Sequence, residues 1–171
     1  CEREGVVPDF LCIAKGLTGG YLPLAATLTT ERIFEAFQGP PEEGRTFFHG
    51  HTYTGNALGA AAALATLEIF DADNIFDNLP GKVEFFRERV SELAALPLVG
   101  DVRQYGLAAG IELVADKETK EPFPASERIG MKVCGAAVRN GVFLRPLGDT
   151  IVLMPPLSIT EDEIARLIDV V

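Results

Sequence analysis

The sequence predicts an α/β protein in two parts that are joined by a helix. Three observations lead to this prediction: an apolar run that stops at a lysine before a glycine turn, a long alanine-rich helix, and a mixture of strands and helices after Pro97. The predicted division is a first domain over 1–76, a connecting helix over 77–96 and a small α+β domain over 97–171.

Two apolar runs in the first domain predict strands. The run Phe10–Ala14 reads FLCIA, and the turn GLTGG follows one residue later, which is typical of a buried strand that meets a loop. The run 24–30 is rich in threonine and small apolar residues and predicts a second strand. Its last residue, Thr30, can cap a helix over 31–37.

A long loop and two helices are predicted next. Prolines and glycines punctuate 38–55 too often for regular structure, and a loop of that length is often functional. Asn56 is a typical N-cap, and NALGAAAALATLEIF predicts a helix that is buried on most sides. From Val83 onward, apolar residues recur with the i, i+3 and i+7 spacing of an amphipathic helix.

The small domain alternates between strand and helix patterns. Thr160 precedes three acidic residues, so it is expected to cap a last helix whose dipole these acids complement. The other predicted elements are strands at 99–105, 107–114, 142–145 and 151–154 and a helix over 126–139.

Charge and composition exclude several classes of function. The chain has 25 acids and 15 bases, a net charge of -10, which argues against binding to nucleic acid. Three widely spaced cysteines indicate neither a disulfide framework nor a zinc site. Neither a signal peptide nor a membrane span is visible, so we expect a cytoplasmic protein. The chain begins at Cys1 without a methionine, and we expect it to be a piece of a larger protein.

Lys15 is the first candidate for chemistry because it stands between an apolar strand and a glycine turn. An amine becomes a nucleophile for a carbonyl when burial lowers its pKa, and a lysine at the end of a buried strand fits that requirement. A lysine that extends from the strand end into solvent explains the same spacing, and the glycines are explained equally well by a plain turn.

The loop FFHGHTYTGN is the second candidate. Its hydroxyls, with Thr52 and Thr54 as the natural donors, lie just before a helix N-terminus, which favours anions such as phosphate. The alternative is a loop that only starts the helix. His49 and His51 lack a third ligand nearby, so a metal site is not expected.

Arg145 is the third candidate. In the sequence it ends an apolar run and is followed by Pro146, so its guanidinium can bind a carboxylate with two hydrogen bonds from a rigid turn. A structural ion pair is the alternative. Glu112 lies inside an apolar run and is expected to face solvent or an arginine.

These segments resemble the class III aminotransferases of pyridoxal phosphate (PLP) fold type I, and more narrowly the diaminopelargonate synthases of biotin biosynthesis. The resemblance covers essentially the whole chain and is carried by PDFLCIAKGLTGGYLPLAATLTT, TFFHGHTYTGNALGAAAALATLEIF and GVFLRPLGDTIVLMPP. It implies that 1–76 is the C-terminal part of the PLP-binding large domain. It further implies transamination of 8-amino-7-oxononanoate to 7,8-diaminononanoate, with S-adenosylmethionine or lysine as amino donor. Another class III activity, an ω-amino acid transaminase, is the alternative.

The resemblance also implies roles for individual residues. Lys15 would bind PLP covalently and move the proton during transamination. Thr52 and the backbone of His51 would bind the phosphate, Gly50 would lie against the substrate, and Arg145 would bind the carboxylate of the keto substrate. The loop reaches into the neighbouring subunit in this family, so a homodimer is implied. Some relatives have proline at the position of His51.

The resemblance places this chain in the last two fifths of a full enzyme. The aspartate that pairs with the pyridine nitrogen of PLP would lie upstream. Because PLP withdraws electrons only while that nitrogen is protonated, we expect the chain alone to be inactive.

Overall fold

Two strands and two helices form the first of two units in the chain. A computed structural model describes all residues 1–171 and divides them into Cys1–Asp73 and Asn74–Val171. In the first unit, strand β1 (Phe10–Ala14) pairs antiparallel with β2 (Ala25–Thr29). The other elements are 3₁₀ turns at Glu2–Glu4, Lys15–Thr18 and Pro41–Glu43, a short α1 (Glu31–Glu35) and the long α2 (Ala57–Ala72).

The predicted strands and the predicted long helix of this unit are confirmed. Helix α2 begins where expected, because the Asn56 side chain accepts a hydrogen bond from the Leu58 N–H at 3.1 Å. Thr30 precedes α1, but its side chain makes no capping hydrogen bond. The helix begins at Glu31 as predicted but ends at Glu35, because the Ala36 and Phe37 N–H groups donate to carbonyls three residues before them, as in a 3₁₀ turn.

The predicted burial of this unit is wrong. Only Gly59 and Ala63 of α2 are buried, and four of the five residues of β1 are exposed. Large apolar side chains such as Phe10, Leu28 and Leu64 are 58%, 49% and 62% exposed. The reason is that one two-stranded ladder offers too little surface to cover a 16-residue apolar helix. Apolar surface of this extent is typical of a region that contacts further protein.

The second unit is a four-stranded antiparallel sheet with three helices. The strand order is β3-β4-β6-β5, so β5 lies at an edge. Its elements are α3 (Ile75–Glu92), a 3₁₀ turn (Leu93–Ala95), β3 (Val99–Tyr105), β4 (Ala108–Leu113), a 3₁₀ turn (Ala125–Glu127), α4 (Ile129–Arg139), β5 (Arg145–Leu147), β6 (Thr150–Leu153) and α5 (Glu161–Val170). The three-part domain division stays a prediction. None of the helices of the chain is long and apolar enough to cross a bilayer.

One apolar core holds the second unit together. Phe86 and Val90 of α3, Ile151 of β6 and Ile164 of α5 are fully buried in the same cluster. The predicted amphipathic face of α3 is thus confirmed. Each large side chain of this kind contributes about 1.5–3 kcal/mol when it leaves water, so this unit carries its own source of stability.

The predicted bounds of the strand over 142–145 are wrong, because the strand starts at Arg145 instead of ending there. The preceding residues complete the end of α4: the Val142 N–H donates to Ala137 O at 3.0 Å, and Gly141 adopts a φ of 81°. Pro146 then fits β5 because an edge strand tolerates a residue without an N–H.

Helix α4 also begins later than predicted. Arg128 has a φ of 49° and separates the 3₁₀ turn at Ala125–Glu127 from a helix that starts at Ile129. A left-handed residue cannot continue a right-handed helix, so the predicted start at residue 126 is wrong.

The predicted cap of the last helix is confirmed as a full capping box. The Glu163 N–H donates to Thr160 Oγ1 at 3.2 Å, and the Thr160 N–H donates back to Glu163 Oε2 at 2.9 Å. Hydrogen bonds from the Thr160 backbone and side chain hold the pKa of the Glu163 carboxyl below its usual value.

We predict that Glu163→Gln makes the stability of the second unit less dependent on acid pH. Because the folded pKa of Glu163 is below the unfolded value, its contribution is present above the unfolded pKa and is lost as the pH falls through the folded pKa. Glutamine keeps the cap but does not titrate. We expect the wild type to have a higher Tm than Glu163→Gln at pH 7, and this difference in Tm should be smaller at pH 3. Circular dichroism at both pH values measures it. An equal difference at both pH values would contradict the assignment.

Candidate active site

A cavity of about 1240 Å³ in the first unit contains most of the candidate residues. Lys15, Gly50 and His51 line it, while Thr52 does not. The walls come from the end of β1, the glycine turn, β2 and the loop over 47–56. Sequence reasoning missed three aromatic residues of the lining, Tyr21, Phe47 and Tyr53, because aromatic residues in a loop carry no pattern that distinguishes a site from a surface.

The backbone of Lys15 is strained. Lys15 directly follows β1 and has a φ of 55°, in the left-handed region that favours glycine. Such a conformation costs about 1–3 kcal/mol and persists only where the surroundings enforce it, which is frequent at functional sites. The Lys15 side chain is exposed in this chain.

A buried threonine supports the turn after Lys15. Thr18 is 1% exposed, and its hydroxyl donates to Leu22 O at 2.5 Å and lies 3.5 Å from Lys15 O. Gly19 and Gly20 have φ values of 60° and 81°, so the turn requires glycine there. The turn is thereby closed on both sides, and no pattern in the sequence indicates that Thr18 is buried.

Helix α2 supports the same turn from behind. A Cβ at Gly59 would lie 3.4 Å from Leu24 Cδ1, and a Cβ at Gly19 would lie 3.5 Å from Thr66 Oγ1. The small residues of α2 thus allow the helix to approach the turn and β2 closely. The alanine-rich composition that predicted the helix also makes this approach possible.

Hydrogen bonds within the loop over 47–56 leave one threonine free. The His51 N–H donates to Thr54 Oγ1 at 2.9 Å, and His51 Nδ1 accepts from the Tyr53 N–H at 3.1 Å. The Thr54 N–H donates back to His51 O at 3.0 Å. Thr52 is exposed at the tip of this turn, and its hydroxyl and N–H have no partner in the chain. Both are therefore available to a ligand.

The remaining ring of the loop is part of an aromatic stack. His49 stacks on Phe47 with 5.4 Å between ring centroids, and Phe47 packs against Phe37 at 5.2 Å. The two histidines of the loop thus have different roles, since His51 accepts a hydrogen bond and His49 packs against a ring.

The cavity differs in charge from the chain as a whole. Its lining includes Lys15 and no carboxylate, in a protein of net charge -10. Asp9, six residues before Lys15, forms an ion pair with Arg32 at 3.0 Å. A site with cationic and neutral donors and no acid favours an anionic ligand.

Arg145 lies in the second unit. It is the first residue of β5, it is exposed, and it takes part in none of the ion pairs of the chain. Its guanidinium is free to bind a carboxylate. Glu112, in contrast, is paired with Arg103 at 2.7 Å, as one of the two sequence alternatives expected.

Comparisons with known proteins agree on a family. The family described as aminotransferase class III matches residues 1–171. The adenosylmethionine-8-amino-7-oxononanoate aminotransferase of Nitratidesulfovibrio vulgaris is 57% identical over 171 residues, which are 100% of this chain and 32% of that protein. The enzyme of the same name from Aquifex aeolicus is 57% identical over 169 residues, or 99% of this chain and 37% of that protein.

Solved structures show the same fold. The structure of adenosylmethionine-8-amino-7-oxononanoate aminotransferase from Methanocaldococcus jannaschii is 52% identical and superimposes with a TM-score of 0.91 over 96% of this chain and 37% of that one. An (S)-enantioselective ω-transaminase from Thermomicrobium roseum is 36% identical with a TM-score of 0.90, over 99% of this chain and 37% of that one. The chain thus spans between about a third and two fifths of the length of the relatives it matches. It belongs to the class III aminotransferase family.

Proposed function

We propose that this class III aminotransferase chain contributes the cofactor lysine and the acceptor-binding arginine of an enzyme that transaminates 8-amino-7-oxononanoate to 7,8-diaminononanoate. S-adenosylmethionine or lysine would be the amino donor. The observation that carries the proposal is the cavity that combines the strained Lys15 with the donor-rich loop. Relatives that are 57% identical carry the name of this activity.

Residues of the cavity and of the loop beside it fit PLP, which is a planar ring with an aldehyde and a phosphate. Lys15 lines the cavity and offers an amine for the aldehyde. Thr52 lies outside the lining, at the tip of the loop, and its free hydroxyl and N–H offer donors for the phosphate in the neighbouring subunit. Because the His51 N–H already donates to Thr54 Oγ1, Thr52 is the stronger candidate of the two neighbours. Gly50 adds backbone without a side chain to the cavity wall, where a substrate can approach closely.

The reaction needs a proton to move at the substrate carbon that bears nitrogen. PLP, when bound, supplies the electron sink for that carbon. We assign this proton transfer to the Lys15 Nζ, because no carboxylate lines the cavity and both of its histidines have other contacts. His51 Nδ1 accepts a hydrogen bond from the Tyr53 N–H, and the His49 ring stacks on Phe47. The turn that Thr18 closes fixes the backbone from which the Lys15 amine reaches into the cavity.

Arg145 would recognise the acceptor. Its planar guanidinium forms two parallel hydrogen bonds with a carboxylate, and no acidic side chain of the chain competes for it. The carboxylate at the end of 8-amino-7-oxononanoate away from its ketone is the matching group.

The proposal includes a cytoplasmic homodimer in which the loop over 47–56 reaches the site of the neighbouring subunit. The exposed apolar side chains of the first unit support contact with further protein, which the rest of the proposed large domain and a partner subunit can both provide, because surface of that kind is normally covered. The proposal also keeps 1–76 as part of a large domain, 77–96 as a connecting helix and 97–171 as the small domain.

An ω-amino acid transaminase is the alternative activity. Solved ω-transaminases share the fold at 36% identity, against 57% for relatives named for 8-amino-7-oxononanoate, which favours the first activity. A screen of amino donors and keto acceptors with the full-length protein separates the two. Turnover of ω-amino acids with no turnover of 8-amino-7-oxononanoate would overturn the proposal.

We predict that Lys15→Ala in the full-length protein lowers turnover by at least about 10³-fold, since it removes both the covalent attachment of PLP and the acid-base group. Lys120→Ala is the matched control, because Lys120 is a second lysine with a left-handed φ, of 57°, outside the cavity. The control should retain full turnover and the visible absorbance of bound PLP. A Lys15→Ala protein that keeps a substantial part of both would exclude Lys15 from this role.

We predict that Thr52→Val weakens PLP binding by roughly ten- to hundredfold, because one hydrogen bond to a charged group contributes about 1.5–3 kcal/mol. Thr52→Ser keeps the hydroxyl and should bind PLP nearly as well as the wild type. Titration of the apoenzyme with PLP measures both. Equal affinities for wild type and Thr52→Val would contradict the assignment.

The two variants together test whether Thr52 acts across the dimer. A mixed dimer of Lys15→Ala and Thr52→Val subunits regains one site with both native residues only if Thr52 serves the neighbouring subunit. At a PLP concentration that leaves Thr52→Val unloaded, recovered activity supports the inter-subunit arrangement. No recovery in a verified mixed dimer assigns Thr52 to the site of its own subunit.

We predict that Arg145→Lys raises the apparent KM for 8-amino-7-oxononanoate by roughly ten- to hundredfold, as expected when a bidentate pair is lost. The methyl ester of the same acceptor has no carboxylate charge and should respond by less than about twofold. Steady-state kinetics with both acceptors give the comparison. Equal losses toward acid and ester would make Arg145 a structural residue.

A further inference from the structure

The turn that follows β5, the strand that begins with Arg145, is held to α4 by Asp149. Asp149 Oδ1 accepts a hydrogen bond from the Gly130 N–H, the second residue of α4, at 3.0 Å. The backbone oxygen of Asp149 accepts from the Leu113 N–H at 2.9 Å. One half-buried residue therefore joins the β5–β6 turn to a helix and to the central strand β4.

Helix α4 has no cap of its own. Arg128 occupies the N-cap position with a φ of 49°, and its side chain makes no capping hydrogen bond. The first N–H groups of a helix need acceptors, and a carboxylate there is also favoured by the helix dipole. Asp149 provides this acceptor from 19 residues further along the chain.

The start of α4 and the turn are in direct backbone contact. A Cβ at Gly130 would overlap the Gly148 carbonyl oxygen and would lie 2.9 Å from Pro146 Cβ. Gly148 itself has a φ of 60°, at the first position of a two-residue hairpin loop where glycine is preferred. No free space separates the turn from the helix that holds it.

Strand β5 is short and has one strand neighbour. The strand has three residues at the edge of the sheet and pairs only with β6, where Arg145 lies opposite Val152. The Arg145 side chain has no ion pair that would fix it. The direction of the guanidinium therefore depends on the backbone of β5, and the Asp149 hydrogen bond holds the turn at the end of that backbone.

We propose that Asp149 is a positioning residue for acceptor recognition. By accepting the hydrogen bond from Gly130 of α4, Asp149 holds the turn after β5 in place, and thereby holds the Arg145 guanidinium where it meets the carboxylate of the acceptor. The inference rests on the proposed role of Arg145. Asp149 acts through Arg145 and does not touch the substrate. Its contribution belongs to acceptor binding and not to the proton transfer at Lys15.

Steady-state kinetics of the full-length protein test this inference. Asp149→Ala should raise the KM for 8-amino-7-oxononanoate about tenfold, because a small misplacement of a binding group is enough for such a loss. The kcat, the PLP affinity and the KM for the methyl ester should stay within about twofold of the wild type. Asp149→Asn keeps a side-chain oxygen at the same place and should restore the KM for the acid to within about threefold.

Thr160→Ala is the matched control for a merely structural effect. It removes the cap of α5 in the same unit, away from the Arg145 turn, and should lower the Tm while leaving the ratio of acid to ester kcat/KM unchanged. If Asp149→Ala also lowers the Tm without changing that ratio, Asp149 is structural and the inference fails. If Asp149→Ala does not fold, Asp149→Ser replaces it, and an unchanged ratio in Asp149→Ser overturns the inference equally.

Arg145→Lys separates the failure of this inference from the failure of the proposed function. A changed ratio in Arg145→Lys with an unchanged ratio in Asp149→Ala rejects only the positioning role. An unchanged ratio in Arg145→Lys rejects the role of Arg145 and the inference with it. In the double variant, Asp149→Ala should add less than about twofold to the effect of Arg145→Lys, because residues that act through one another are not additive.

Discussion

The hydroxyl of Thr18 closes the turn on which the candidate site depends. It donates to Leu22 O and lies beside Lys15 O, so it joins the two ends of a turn whose middle contains glycines with positive φ. A buried hydroxyl that lost these acceptors would cost about 1–3 kcal/mol, comparable to the strain at Lys15. The turn that Thr18 closes therefore holds Lys15 in its left-handed φ, and the Lys15 carbonyl oxygen lies 3.5 Å from the Thr18 hydroxyl.

Different interactions stabilise the two units. The second unit has an apolar core in which Phe86, Ile151 and Ile164 are fully buried, and hydrophobic burial is the dominant favourable contribution to folding. In the first unit the buried residues of α2 are small, and the large apolar ones such as Leu64 face outward. Hydrogen-bonded turns and close approaches of glycine, rather than a core, define the local geometry around Lys15. Such a site is sensitive to whatever covers the exposed apolar surface.

The sequence predicts those features that depend on hydrogen bonds between neighbouring residues, such as helix caps. The caps at Asn56 and Thr160 follow from side chains that bond within three residues, and both were predicted. The bounds of β5 are not predictable in this way, because the residues before it close the end of α4. Hydrogen bonds such as that from the Val142 N–H to Ala137 O decide whether these residues belong to the helix end or to the strand. The left-handed φ of Lys15 carries no sequence signal, although its place before a glycine turn was enough to single the residue out.

The sequence predicts which residue types the candidate site contains, but not how their hydrogen bonds are arranged. The loop over 47–56 was identified by its hydroxyls, but the sequence could not assign which donors the loop uses for itself. The structure shows that Thr54 accepts from the His51 N–H, which leaves Thr52 as the threonine with free donors.

The cavity differs in charge from the protein around it, and this difference decides how an anionic ligand can be bound. The lining of the cavity has no carboxylate in a protein of net charge -10. The potential of the surrounding surface therefore opposes anions, while the cavity offers the Lys15 amine and the loop beside it offers the free donors of Thr52. An anionic ligand must therefore gain its affinity from contacts at short range, which are screened less by salt than the field of the whole protein. Short-range recognition of this kind depends on fixed donors. The fixed geometry of the loop and of the Thr18 turn therefore matters more to ligand binding here than electrostatic attraction over distance.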